Sequence, residues 1–194
     1  MLPIILCSVI SISIIVERFW SLQREKVLPR HLVASVWHMI KTGKLEASAL
    51  EEVGRQSALG KVLTAGVKNR QYKRERIKES IEERGREVVH ELERFLSPLG
   101  TIASISPLLG LLGTVVGMIK VFTAITTHGV GNPTVLASGI SQAMITTAAG
   151  LSVAIISLIF YLYFRRRVDT IVVEIEREAF NMVDVIHKNR EEPA

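Results

Sequence analysis

The sequence contains little of what enzymes, metal sites and disulfide-stabilised domains use. It has a single cysteine, Cys7, so it can form neither a disulfide within the chain nor a metal cluster built on sulfur. Its five histidines are scattered and show neither the HExxH spacing nor the paired arrangement of zinc sites. It also lacks a matched nucleophile and base and any phosphate-binding loop. The sequence therefore predicts that the protein is not an enzyme and uses no metal or cofactor.

Charge is almost missing from two long stretches. One runs from Pro98 to Phe122 and the other from Val135 to Phe164, and Lys120 is the only charged residue in either. A membrane-spanning helix needs about 20 mostly apolar residues, so each stretch is long enough. A third uncharged run, residues 1–16, is followed by the sequence ERFW at 17–20, an aromatic and basic closure typical of a membrane interface. The predicted fold class is an all-α integral membrane protein with three transmembrane helices.

The charged residues lie in two hydrophilic segments, which also set the predicted topology. An excess of Lys and Arg marks the cytoplasmic side of a membrane, and the third span is followed by Arg165, Arg166 and Arg167. The sequence therefore predicts a periplasmic N-terminus and a cytoplasmic C-terminus. The predicted segments are span one at 1–18, a cytoplasmic helical domain at 19–97, span two at 98–125, a periplasmic turn at 126–134, span three at 135–164, and a cytoplasmic helix at 165–194.

This topology also accounts for the net charge of +5, so nucleic-acid binding is not expected. The first run is short for a full crossing, which fits either a longer natural N-terminus or a helix that begins at the outer interface and tilts little.

Within the predicted cytoplasmic domain, short amphipathic helices punctuated by Gly43, Gly54 and Gly60 precede a stronger helix at 71–96. The stronger helix carries one narrow apolar stripe, which suits either a helical bundle or a seam between subunits. The stripe consists of Ile77, Ile81, Val88, Leu92 and Phe95. If this helix continues into the membrane, Pro98 and Gly100 predict a kink there.

Small residues follow one face of each of the last two spans and predict close helix packing. Gly110, Gly113 and Gly117 occupy the second span, while Gly139, Ala143, Gly150 and Ala154 occupy the third. Thr114 and Thr147 lie within these seams near the middle of their spans, and Thr146 flanks them. Because the two spans are antiparallel, Thr114 and Thr147 are expected at similar depth.

Two interpretations of the threonines remain open. A lone threonine in an apolar helix commonly bonds back to a carbonyl of its own helix. Two mid-span threonines in small-residue seams favour a polar lining for water or protons. No Asp, Glu or His in either stretch could itself carry the proton.

Lys120 and Gln142 are expected about 8 to 9 Å from the threonines toward the outer side, at one level. The candidate residues of a proton pathway are Thr114, Thr146, Thr147 and Gln142. Lys120 either snorkels to the headgroups or places a fixed charge at an outer vestibule. In the second case it is hydrogen-bonded to Gln142 or paired with a partner's acid.

The segments SPLLGLLGTVVGMIKVF at 106–122 and GISQAMITTAAGLSVAI at 139–155, with residues 17–20, resemble the ExbB/TolQ/MotA proton-channel family, and its ExbB and TolQ branch in particular. The resemblance implies a homopentameric ring of three-span subunits in the bacterial inner membrane. It implies a single-span partner of the ExbD or TolR type inside the ring, whose membrane aspartate carries the proton and faces Thr114 and Thr147. Many such proteins carry a glutamate where this chain has Gln142, so a glutamate-dependent proton step does not carry over.

The resemblance implies an inner-membrane subunit that converts proton motive force into mechanical work for TonB-dependent outer-membrane transport. Two alternatives stay open: a TolQ-like motor that maintains the cell envelope through a TolA-like protein, and a non-conducting scaffold that assembles partners. In each case the expected contacts are the partner proteins, further copies of the chain and membrane lipids.

Overall fold

The structure, a computed structural model, describes residues 1–42, 47–128 and 133–191. The regular secondary structure in these ranges is helical. The helices are α1 (Leu2–Ser21), α2 (Arg24–Val27), α3 (Arg30–Thr42), α4 (Ala47–Gln56), α5 (Ala58–Lys68), α6 (Arg74–Glu93), α7 (Leu96–His128) and α8 (Pro133–Glu191). The chain divides into two compact units. We call Met1–Arg18 with Phe95–Tyr163 the membrane unit, and Phe19–Arg94 with Phe164–Ala194 the helical unit.

Three helices are long and apolar enough to cross a bilayer, by length and composition: Leu2–Ser21, Leu96–Thr127 and Leu136–Ile186. The 20 residues of α1 reach about 30 Å at about 1.5 Å per residue, the thickness of a hydrocarbon core. Large apolar side chains on these helices are exposed, among them Leu6, Leu108 and Phe122. A surface of this kind suits lipid or neighbouring subunits better than water.

The interruption before the second span lies at Arg94 and Phe95, between α6 and α7, rather than at Pro98 and Gly100 as expected. A proline ring clashes with the carbonyl four residues earlier, here that of Arg94, so the helix breaks at that point. Pro98 then lies in the first turn of α7, where its missing N–H would have had no partner within the helix. The predicted kink at Pro98 is therefore corrected to a break before it.

The turn predicted between the last two spans is shorter in the structure. Helix α7 continues to His128 and α8 begins at Pro133, so part of the turn expected at 126–134 is helical. Proline is well placed at the first position of α8, because its fixed φ suits a helix and its missing N–H would be unpaired there. Residues 129–132 of that turn lie outside the described residues. The third span and the expected helix at 165–194 form one continuous helix, α8, through Glu191.

The helical unit packs α4, α5, α6 and the end of α8 around an apolar core. The residues most deeply buried in it include Leu59, Leu63, Val67, Val88 and Met182. Ser57 separates α4 from α5, because its hydroxyl accepts a hydrogen bond from the N–H of Gly60 at 3.0 Å and so caps α5.

Two glycines expected to punctuate these helices lie inside them. Gly54 is within α4 and Gly60 within α5, and a Cβ on Gly60 would overlap the carbonyl of Val53. Glycine here permits backbone contact between α4 and α5. Gly43 lies outside the described residues.

The apolar stripe of α6 contributes to the bundle within one chain. Ile77, Ile81, Val88 and Leu92 are all buried. A Cβ on Gly66 of α5 would lie 2.9 Å from Cδ1 of Ile81, so α5 and α6 are in close contact. Of the two interpretations of the stripe, the structure shows the bundle.

Candidate functional site

Helices α7 and α8 of the membrane unit approach closely enough for backbone contact. A Cβ added to Gly117 would lie 2.7 Å from Cβ of Ala143, and one added to Gly110 would lie 3.1 Å from Cα of Thr147. A Cβ added to Gly150 would lie 2.6 Å from the carbonyl oxygen of Ser106. Side chains larger than hydrogen would push the helices apart at these three positions.

The remaining small residues of the predicted seams lie along the same contact. A Cβ on Gly113 would overlap the Thr146 side chain, and one on Gly139 would overlap Val121. Ala154 is buried one turn after Gly150. The seams therefore pack α7 against α8 within one chain.

The two mid-span threonines are anchored at the same level. The hydroxyl of Thr147 donates across the helix contact to the carbonyl of Gly110 at 3.0 Å, and the hydroxyl of Thr114 donates to the carbonyl of Leu111 at 2.7 Å. Because Gly110 and Leu111 are adjacent, both hydroxyl oxygens lie at nearly one depth. Both residues are half-buried. Each oxygen keeps lone pairs with which it can accept a further hydrogen bond.

Thr146 has a different environment from Thr147. Its side chain is 6% exposed, and its hydroxyl donates to the carbonyl of Gln142 on its own helix at 2.7 Å. Its methyl group lies in the space that Gly113 leaves open. The hydroxyls of Thr146 and Thr114 thus each donate to a carbonyl of their own helix, whereas the hydroxyl of Thr147 donates to a carbonyl of the neighbouring helix.

Lys120, Gln142 and Thr146 line a groove of about 210 Å³ in the membrane unit, which we call the Lys120 groove. Its other lining residues are apolar residues and glycines of α7, together with Met1 and the α1 residues Pro3 and Ile4. Thr114 and Thr147 do not line it. Of the four predicted path residues, Thr146 and Gln142 therefore line the groove, and Thr114 and Thr147 lie outside it.

The two polar residues at the end of this groove are exposed. Within the described parts of the chain, neither the ammonium of Lys120 nor the side-chain amide of Gln142 has a hydrogen-bond partner. The hydrogen bond between them that the sequence left open is not formed here.

Sequence reasoning missed a buried hydroxyl pair between α1 and α8. Oγ of Ser11 lies 2.7 Å from Oγ of Ser157, and Ser157 donates to the carbonyl of Val153 at 2.7 Å. Since a hydroxyl has one hydrogen, Ser11 is the donor in the pair. Ser106 is fully buried and, among the described residues, its hydroxyl has no partner. The only signal in the sequence was a small polar residue inside an apolar run.

Arg18 was expected at a membrane interface, but the structure gives it a more specific set of contacts. Its side chain is 4% exposed, and its Nε donates to Oε2 of Glu17 at 2.6 Å. The guanidinium also lies 4.7 Å from the ring centroid of Phe95. Stacking on an aromatic ring stabilises the cation and ties the end of α1 to the residue preceding α7.

Comparison with known proteins shows the family of this chain. Residues 54–177 match the MotA/TolQ/ExbB proton channel family. The chain belongs to this family. Three of its described helices are long and apolar enough to cross a membrane, so it is a multi-pass membrane protein, and its family is one of membrane channels.

Individual relatives point to the ExbB and TolQ side of the MotA/TolQ/ExbB family. The chain is 36% identical over 169 residues to the putative biopolymer transport protein ExbB-like 1 of Synechocystis, an alignment that covers 83% of this chain and 65% of that protein. It is 35% identical over 139 residues to a putative ExbB homolog of Methanothermobacter thermautotrophicus, covering 71% and 48%. It is 35% identical over 96 residues to the Tol-Pal system protein TolQ of Haemophilus influenzae, covering 50% and 40%. The chain thus spans less than two thirds of these relatives' lengths.

The threonine pair can position a proton carrier but cannot titrate. Hydroxyls do not ionise at physiological pH, and α7 and α8 contain no Asp, Glu or His between 98–122 or 135–164. Across the residues that the structure describes, no group of three or more His, Cys, Asp or Glu could hold a metal ion. These two stretches therefore supply no carboxylate or imidazole at this level.

Proposed function

We propose that this member of the MotA/TolQ/ExbB family is an inner-membrane proton-channel subunit that drives TonB-dependent outer-membrane transport. It works with a single-span partner of the ExbD or TolR type and converts proton motive force into mechanical work. The observation that carries the proposal is the pair of half-buried hydroxyls, Thr114 and Thr147, held at one depth by the adjacent carbonyls of Leu111 and Gly110.

A hydroxyl pair of this kind can serve both protonation states of a partner's aspartic acid. When the acid is protonated, its O–H donates to a threonine oxygen while the threonine continues to donate to its backbone carbonyl. When the acid is ionised, the threonine O–H rotates and donates to the carboxylate, and the carbonyl keeps the N–H bond of its own helix. The acid therefore has a hydrogen bond in each state without movement of α7 or α8. In a region of low dielectric, such bonds are stronger than in water.

The topology that we propose follows the charge distribution. Residues 19–97 and 165–194 carry nearly all the Lys and Arg, which places both on the cytoplasmic side, with the N-terminus and the α7–α8 connection on the periplasmic side. We propose a homopentameric ring of such subunits, as the family resemblance implies. The exposed apolar surface of the membrane unit is compatible with neighbours of the same kind.

A TolQ-like envelope motor, with a TolA-like protein as recipient of the work, is the second candidate. The similarity to the TolQ protein of Haemophilus influenzae favours it, although that alignment covers half of this chain. The threonine chemistry is the same in both candidates, because they differ in the recipient and not in the proton step.

Valine and serine substitutions test the proton step. Thr114→Val and Thr147→Val keep the side-chain shape and remove the hydroxyl, so a buried acid loses a hydrogen bond worth about 1 to 3 kcal/mol. We expect proton flux in proteoliposomes containing the chain and its partner to fall, and Thr114→Ser and Thr147→Ser to retain most of it.

Thr123→Val is the matched control for this experiment. Thr123 also lies on α7 and also bonds back to a carbonyl of its own helix, that of Ile119 at 2.9 Å, but it is nine residues beyond Thr114. Proton flux through Thr123→Val should equal that of wild type, and the partner should copurify with every variant. Normal flux in both Thr114→Val and Thr147→Val would contradict the role that we propose for the hydroxyls, whereas absence of flux in the wild-type assembly would favour the non-conducting scaffold.

A further inference from the structure

The Lys120 groove is a slot along one face of α7. Its α7 lining residues are Leu109, Leu112, Gly113, Val116, Gly117 and Lys120, a spacing of three and four that keeps them on one side of the helix. From Leu109 to Lys120 the slot extends about 16 Å at about 1.5 Å per residue. This is about half of a hydrocarbon core of about 30 Å, or the depth of one leaflet.

The groove has a charged end and an apolar body. Lys120 and Gln142 lie toward the end of α7, while Val116, Leu112 and Leu109 continue toward the middle of the span. Leu112 and Val116 are each about half exposed, so the slot is open along one side.

The charge at this end of the groove has no acidic neighbour among the lining residues that the structure describes. Of the described residues that line it, none is acidic, and the Lys120 ammonium has no ion-pair partner among them. A lysine inside a membrane span requires a counter-charge or water at its tip.

We propose that this groove is a binding site for an anionic phospholipid. The phosphate accepts hydrogen bonds from the Lys120 ammonium and from the Gln142 amide N–H, and one acyl chain lies along Val116, Leu112 and Leu109. The site requires that the membrane unit crosses a bilayer, but it does not depend on proton conduction.

The depth of the groove favours a lipid over the transmembrane helix of a partner or of a second copy. Its lining on α7 extends about 16 Å from Leu109 to Lys120, the depth of one leaflet, whereas a transmembrane helix extends across a hydrocarbon core of about 30 Å. An acyl chain whose headgroup lies at Lys120 occupies one leaflet. Charge complementarity then selects a lipid with a negative headgroup, because the charged side chain at the groove, that of Lys120, is a cation and none of the described lining residues is acidic.

The test uses native mass spectrometry of the full chain in detergent, titrated with phosphatidylglycerol or phosphatidylcholine. Wild type should bind phosphatidylglycerol more tightly than phosphatidylcholine. Lys120→Met should weaken phosphatidylglycerol binding about fivefold, as expected for one lysine at a phosphate, and abolish the preference between the two lipids.

Two tryptophan variants at adjacent positions test the apolar body. Val116 lines the groove, whereas Val115 does not and is similarly exposed. Val116→Trp should fill the slot and lower binding of both lipids, while Val115→Trp should bind as wild type does.

Three results would overturn the proposal. The first is unchanged phosphatidylglycerol preference in Lys120→Met, and the second is equal lipid binding by the two tryptophan variants. The third is loss of a copurifying partner protein from Lys120→Met with normal lipid binding, which would assign the lysine to a protein acid. Proton flux through the Thr114 and Thr147 variants is a separate readout, so either proposal can fail without the other.

Discussion

A methyl group at Gly150 is expected to separate α7 from α8 and so to test whether backbone contact holds the threonine pair in place. In Gly150→Ala the new Cβ would lie 2.6 Å from the carbonyl oxygen of Ser106, 3.0 Å from Cα of Gly110 and 3.1 Å from its N. All three are backbone atoms, which cannot rotate away as a side chain would. The helices must therefore move apart.

The size of the effect follows from these distances. Ordinary contacts of a carbon atom need about 3.5 Å, so the helices must separate by about 1 Å at this point. The hydrogen bond from Thr147 to Gly110, now 3.0 Å, then lengthens to about 4 Å, outside hydrogen-bond range. Overpacking costs about 1 to 3 kcal/mol and the lost hydrogen bond about 1 kcal/mol. The better helix propensity of alanine offsets about 1 kcal/mol. A net loss of about 1 to 3 kcal/mol is expected.

Thermal unfolding of the detergent-solubilised chain measures this loss, and proton flux measures its functional consequence. Gly85→Ala is the control, because a Cβ at Gly85 in α6 would meet no atom within 4 Å. Gly85→Ala should raise the free energy of unfolding by about 1 kcal/mol through helix propensity alone. Gly150→Ala should melt lower and conduct less, although neither threonine is changed. A melting temperature at or above that of wild type would refute the backbone-contact reasoning, and normal flux in a destabilised variant would show that the Thr147 bond is dispensable.

Two further predictions concern Arg18 and the assembly. Arg18→Lys keeps the charge but loses the bidentate contact with Glu17 and the planar stack on Phe95. It should therefore lower the free energy of unfolding by about 1 kcal/mol. A melting temperature equal to that of wild type would show that the charge alone suffices. Native mass spectrometry with lipid and partner present should show five copies of the chain, and a persistent monomer under those conditions would contradict the ring.

The sequence contains enough information to predict the spans and the level of the threonines. The three candidate spans follow from the absence of charge, which depends on no packing detail. The shared level of Thr114 and Thr147 follows from counting residues along antiparallel helices, and the structure has them bonded to adjacent carbonyls. The small residues were predicted to mark helix contacts, and Gly110, Gly117 and Gly150 lie at backbone contacts.

The spacing of residues along a helix could not predict which surface each face of that helix contacts. The stripe of α6 has the same spacing whether it packs within a chain or between chains, and only the burial of Ile77 and Ile81 in the helical unit distinguishes the two. Likewise, a threonine in a helix has rotamers that reach either its own helix or a neighbour. Thr146 and Thr147 are adjacent in sequence, yet one bonds back and the other across, because they face different sides of the α7 contact.

The separation of the threonine pair from the Lys120 groove changes how Gln142 is interpreted. Sequence reasoning placed Gln142 on the proton path with the threonines, where a neutral amide in place of a glutamate weakens the case for conduction. In the structure Gln142 lines the groove with Lys120, and Thr114 and Thr147 do not. A carboxylate at position 142 would lie in the same groove as the lysine and would compensate its charge. The amide leaves the cation of Lys120 uncompensated while adding N–H donors, which is the combination that a phosphate oxygen accepts. Gln142 is therefore compatible with the proton step that we propose at the threonines, and it makes the groove more suitable for an anionic headgroup.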